Sequence, residues 1–126
     1  MDQPRLADYI DHMLDAVTRI QAYTANIDEA AFRQSTLIQD AVIRNIEILG
    51  EASNQVLQRY PEFATAHPEV PLRAARQMRN VLTHGYFTVN LAVVWQTITH
   101  DLPTLWAELE QIRTQIGNPA DTGPDQ

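Results

Sequence analysis

Apolar residues three and four apart run through almost the whole chain, and that spacing leaves room for little besides helices. Between Leu6 and Tyr23, the residues Leu6, Tyr9, Ile10, Met13, Leu14, Val17, Ile20 and Tyr23 fall on one stripe, the pattern of an amphipathic helix of about five turns. Pro4 opens it, at a position where a missing N–H costs nothing. Asn26 and Asp28 supply capping oxygens for a short helix through Ala30 and Phe32. Ser35 or Thr36 can cap the next helix, expected to run to about Tyr60. It carries Leu37, Ile38, Ala41, Val42, Leu49, Ala52 and Val56 on one face, with Asp40, Arg44, Glu47 and Glu51 on the other. Gly50 lies inside this helix at a cost of about 1 kcal/mol relative to alanine, so a close-packed neighbour or a mild kink is expected there.

Residues 61–70 contain two prolines and read as a loop. Pro71 then begins a helix of about four turns, closed by Gly85 as a C-cap residue. A turn over 86–90 leads to a last long helix, from Leu91 to about Ile116, in which Pro103 predicts a kink or a break one turn earlier. The run TVNLAVVW is the one stretch ambiguous between helix and strand, and the Gly/Pro/Asp-rich tail over 117–126 is expected to fray. The expectation is a single all-α domain over residues 1–116, an antiparallel bundle of four main helices plus one short helix.

Several function classes are excluded by composition. With no cysteine there is no disulfide framework, thiolate metal site or cysteine nucleophile. His12, His67 and His100 stand at scattered places, and there is no Gly-rich phosphate loop, G-x-S-x-G or acidic metal triad. Neither a metal nor a cofactor is therefore expected. The N-terminus is polar and acidic, unlike a signal peptide, and no apolar run approaches a membrane span, so a cytoplasmic protein without membrane contact is expected.

The net charge of −7 opposes nucleic-acid binding through global charge. Its distribution does not. All nine basic residues are arginine, and the stretch between Val70 and His100 holds Arg73, Arg76 and Arg79 with no carboxylate. On a helical wheel Ala74, Ala75, Met78, Val81 and Leu82 share one arc, expected to face the core. Arg73, Arg76, Arg79, Asn80, Thr83 and His84 share the other, which Leu72 alone interrupts. Arginine's planar fork suits phosphate, and histidine moves protons near neutral pH. Asn80 and His84 are neighbours at i,i+4, so the amide is placed to orient the ring. Arg79 and His84 are five apart, about 140° around the helix. They converge only if the helix ends near Thr83 or a second copy supplies the missing half.

The segment Arg79-Asn80-Val81-Leu82-Thr83-His84-Gly85-Tyr86 resembles the R-x4-H-x-Y signature of the HepT-like toxins. These form a branch of the HEPN (higher eukaryotes and prokaryotes nucleotide-binding) superfamily. Ile43 to Ala52 is similar to the second signature of that family, R-N-x-E-x-x-G-E-A, and Trp95 with Leu102-Pro103 resembles its last helix. The likeness spans about residues 5–112; Leu72 departs from it, where a tryptophan is common after the proline. The resemblance implies an all-α HEPN-like bundle and a metal-independent endoribonuclease, the toxin of a type VII toxin–antitoxin pair. It implies a homodimer acting on RNA, neutralised by a minimal nucleotidyltransferase antitoxin that transfers AMP to the motif tyrosine. Arg79 and His84 would then be catalytic, Asn80 supporting, Tyr86 the AMPylation site, and Arg73 and Arg76 holders of RNA phosphates. Two other readings stay open: a non-catalytic dimer module that binds a nucleotidyltransferase or a nucleotide, and a structural protein whose arginines pair with Glu47 and Glu51.

Overall fold

In the computed structural model the described residues are 5–84 and 89–116, without the side chain of His84. Among them all regular structure is helical. Helix α1, Leu6–Thr24, buries Ile10, Met13, Val17 and Ile20 completely. Helix α2, Glu29–Gln34, starts where Asp28 Oδ1 accepts the Ala31 N–H at 2.9 Å, as the cap chemistry predicts, and buries Phe32 against the Trp95 ring. Helix α3, Thr36–Arg59, is capped by Ser35, whose Oγ accepts the Ile38 N–H at 3.2 Å. Leu37 was expected on its buried stripe but is 79% exposed. In the first turn it is Ile38, the next residue, that packs against the core.

The expected loop over 61–70 is corrected. Pro61–Ala66 forms a short helix, α4, in which Pro61 sits in the first turn. The proline that stops α3 thus also starts α4, because its fixed φ and absent N–H suit an N-terminal turn. Phe63 and Ala64 of this helix pack against the core. Helix α5, Leu72–His84, follows; the proposed Gly85 cap lies outside the described residues. Asn90 Oδ1 then accepts the N–H groups of Ala92 and Val93 at 3.0 and 3.3 Å. It opens α6, Leu91–Gln96, so the described part of the ambiguous TVNLAVVW run resolves as helix from Leu91 onward.

The break foreseen before Pro103 is present in a particular form. Thr97–Asp101 is a π-helical turn in which Leu102 N–H reaches the Thr97 carbonyl, and α7, Leu102–Ile116, continues from it. Pro103 has no N–H to give to the preceding turn, and the widened turn accommodates that loss. The bundle therefore has its four main helical elements, counting α6, the π turn and α7 as one, with two short helices rather than one. At its centre lies α3, packed on α1 and on α5, while α1 also packs on α7. Among the described residues no helix is long and apolar enough to cross a membrane.

Candidate functional site

Helix α5 carries the arginine-rich motif, and the way it lies on α3 differs from the wheel-based expectation. Leu72 and Leu82 are buried and Ala75 is half-buried, whereas Ala74 is exposed and Val81 is 51% exposed. The inward face is thus turned by roughly a quarter turn toward Arg79. Leu72, which interrupted the polar arc, is a core residue at 3% exposure. Ala74 and Val81 leave the expected core arc and form an apolar edge on the outside.

Gly50 is the reason this rotation is possible. A Cβ built at Gly50 would lie 2.8 Å from the Ala75 carbonyl oxygen and closer still to the Cβ of Arg79. The close approach expected at this glycine is therefore real, and its partner is the backbone of α5 at the motif arginine. Seated there, Arg79 is half-buried in the α3–α5 seam instead of lying on an open face.

The guanidinium is gripped from two sides. Nε and Nη2 donate to Asn80 Oδ1 at 3.1 and 2.8 Å, and Nη1 donates to Glu51 Oε2. One turn along, Thr83 Oγ1 donates to Glu47 Oε2 at 3.3 Å. Asn80 was expected to orient His84; its amide oxygen instead serves Arg79. From the sequence, Glu51 and Glu47 are the polar face of α3 and acids available to a purely structural pairing. They stand opposite the motif, and their i,i+4 spacing beside Gly50 was the available signal.

The remaining site residues divide. Arg73 is exposed and Arg76 half-buried, and neither makes an ion pair among the described residues. His84 ends α5, but its side chain and the whole of Tyr86 lie outside the described residues. Of the other histidines, His67 sits 3.0 Å from Glu69 and holds that carboxylate below its usual pKa through the hydrogen bond. No cluster suited to a metal ion occurs among the described residues.

On the other side of α5 from the arginine seat runs a groove of about 430 Å³. Ile46, Leu49, Ala74, Met78, Leu102 and Leu105 line it, with His100, Asp101 and Glu108 along the π turn and α7. Residues of the π turn thus form part of its wall.

This helical bundle and its motif helix have counterparts among known proteins. The description of the Ribonuclease HepT-like family matches residues 13–112, and the chain belongs to that family. "Probable ribonuclease HepT" of Thermococcus cleftensis is 37% identical over 106 residues, which are 84% of this chain and 94% of that protein. "Gamma-glutamylcyclotransferase and putative RNase" of Methanocaldococcus jannaschii is 34% identical over 108 residues, 86% of this chain and 47% of that longer protein. A "Putative RNase" of Caldanaerobacter subterraneus is 30% identical over 112 residues, 89% of this chain and 96% of its own length. No solved structure gives a significant match.

Proposed function

We propose that this chain is a metal-independent endoribonuclease, the toxin of a toxin–antitoxin pair. The observation that carries the reading is the anchored Arg79–Asn80 pair on α5, in a chain of the Ribonuclease HepT-like family. In the proposed reaction the RNA 2′-oxygen bonds to phosphorus as the bond to the 5′-oxygen breaks. His84 takes the 2′-hydroxyl proton or returns one to the leaving oxygen. Arg79 stabilises the charge that builds on the phosphate oxygens. Arg73 and Arg76 hold flanking phosphates, so binding weakens steeply with salt. The acidic exterior keeps bulk RNA away and leaves the arginine helix as the attractive surface.

Incubating the purified protein with RNA in EDTA tests this. Cleavage that persists in the chelator and disappears in His84→Ala supports the reading. Binding of a nucleotidyltransferase or a nucleotide without any cleavage selects the non-catalytic module instead.

A homodimer belongs to the same proposal. Arg79 and His84 lie about 140° apart on one helix, and a facing copy brings the two together. Val81, 51% exposed on the turn that ends in His84, offers that copy an apolar contact. Sedimentation is expected to give a dimer at micromolar concentration and a monomer for Val81→Asp, with a parallel loss of cleavage. A fully active monomeric wild type would remove the dimer from the proposal.

Neutralisation is proposed to act at Tyr86, two residues beyond His84. AMP there adds negative charge and bulk where RNA phosphate must sit. With a minimal nucleotidyltransferase, ATP and magnesium, intact-mass spectrometry should show AMP added to the wild type and none to Tyr86→Phe. Tyr86→Phe should keep nuclease activity, because the proton chemistry is assigned to His84. Undiminished addition to Tyr86→Phe places the modification elsewhere.

A further inference from the structure

We infer that Glu51 is the positioning residue of Arg79, with Glu47 doing the same for the last turn of α5; the inference rests on the ribonuclease reading and adds residues to it. Arginine has a long, rotamer-rich side chain, and a stabiliser of developing charge works only if its fork is already in place. Here three of its five N–H groups are committed: Nε and one on Nη2 to Asn80, and one on Nη1 to Glu51. One N–H on each terminal nitrogen is left for a phosphate.

Asn80 alone cannot fix the fork in space, because it is the adjacent residue on the same helix. Glu51 comes from α3 and ties the guanidinium to the bundle. Gly50, its chain neighbour, seats the Cβ end of the same side chain. Arg79 is thus held at its root by Gly50 and at its tip by Glu51. One turn earlier on α3, Glu47 takes the Thr83 hydroxyl and ties down the turn that ends in His84.

Stability does not explain the pair. The Arg79 side chain is 24% exposed but that of Glu51 is 53% exposed, and an ion pair with one partner that open to water contributes little to folding. Nor does substrate attraction, since a carboxylate next to the arginine repels phosphate. That repulsion separates positioning from binding in kinetics. Glu51→Gln removes the charge that holds the fork and also the repulsion. Its kcat on RNA is expected to fall by about tenfold to a hundredfold, while KM stays level or drops.

The test measures kcat and KM for wild type, Glu51→Gln, Glu51→Asp and Arg79→Ala, and for Glu51→Gln in the Arg79→Ala background. Thermal unfolding and the solvent exchange of the Arg79 Nε–H resonance are followed without RNA. Expected are a fallen kcat in Glu51→Gln with unchanged melting, partial rescue in Glu51→Asp, no further loss on the Arg79→Ala background, and faster Nε–H exchange. An unchanged or raised kcat, or exchange as slow as in wild type, overturns the inference. A wild type that cleaves no RNA removes the ribonuclease reading, and the exchange measurement then decides the anchoring alone.

Discussion

Alanine at His84 or at Arg79 is expected to lower RNA cleavage by at least about a hundredfold while leaving the bundle folded. A positioned proton-transfer group contributes about 10²- to 10⁴-fold, and loss of one preorganised donor to developing charge costs about 10²- to 10³-fold. The two effects should not add, because residues that act as a unit fail together. Folding should tolerate both changes for different reasons. His84 stands in the last turn of α5, where alanine is a good helix former. Removing the Arg79 side chain leaves Glu51 without its partner, but that carboxylate is 53% exposed and stays solvated, so the loss should be below about 1 kcal/mol. Arg79→Lys is the sharper variant. It keeps the charge and loses the planar fork that reaches Asn80 and Glu51 together, so its cleavage should resemble Arg79→Ala more than wild type. Cleavage and thermal unfolding measured on the same preparations check this. Activity lost in step with the folded fraction would make both residues structural.

How much of the fold is legible in the sequence follows from which forces act locally. The 3–4 periodicity located α1, α3 and the last helix, because burying one stripe is a property of the segment itself. Asp28 and Ser35 were legible as caps for the same reason, since a capping oxygen needs only its own next turn. The break ahead of Pro103 was legible because a proline removes one particular hydrogen bond. The orientation of α5 was not. Its wheel carries a strong apolar arc, yet the arc turned outward at Ala74 and Val81, and Arg79 turned inward. The deciding contact is the missing side chain at Gly50, on another helix and 29 positions away. Helix α4 is hidden in the sequence because Pro61 already accounts for the end of α3, though one proline can stop a helix and start the next. Of the site, the arginine, the asparagine and the histidine were visible as a motif. Glu47 and Glu51 are legible as a polar face and as acids an arginine can pair with, but nothing in a linear pattern says which helix will cover that face or which arginine each will meet.

Gly50→Ala provides the most discriminating test of this arrangement, because two principles give it opposite signs. By helix propensity, alanine inside α3 should stabilise the protein by about 1 kcal/mol. By packing, its methyl group would lie 2.8 Å from the Ala75 carbonyl oxygen and nearer still to the Arg79 Cβ, where carbon atoms prefer about 3.5–4.0 Å. Neither obstacle is the free end of a flexible chain. One is backbone, and the other is fixed to backbone by a single bond. The strain can be relieved only by moving α5 off α3, and overpacking of this kind costs about 1–3 kcal/mol with larger values on record. With contacts this short the cost falls at the upper end of that range, so packing should win, with a net loss of about 2 kcal/mol and a melting temperature lower by several degrees. The shift should also carry Arg79 away from Glu51, so cleavage per folded molecule should fall as it does in Glu51→Gln, and the folded fraction alone will not account for it. Chemical denaturation and single-turnover cleavage at a temperature where the variant is fully folded separate the two effects. An alanine variant as stable as wild type would mean that α5 does not rest on Gly50, and the seat assigned to Arg79 would fall with it.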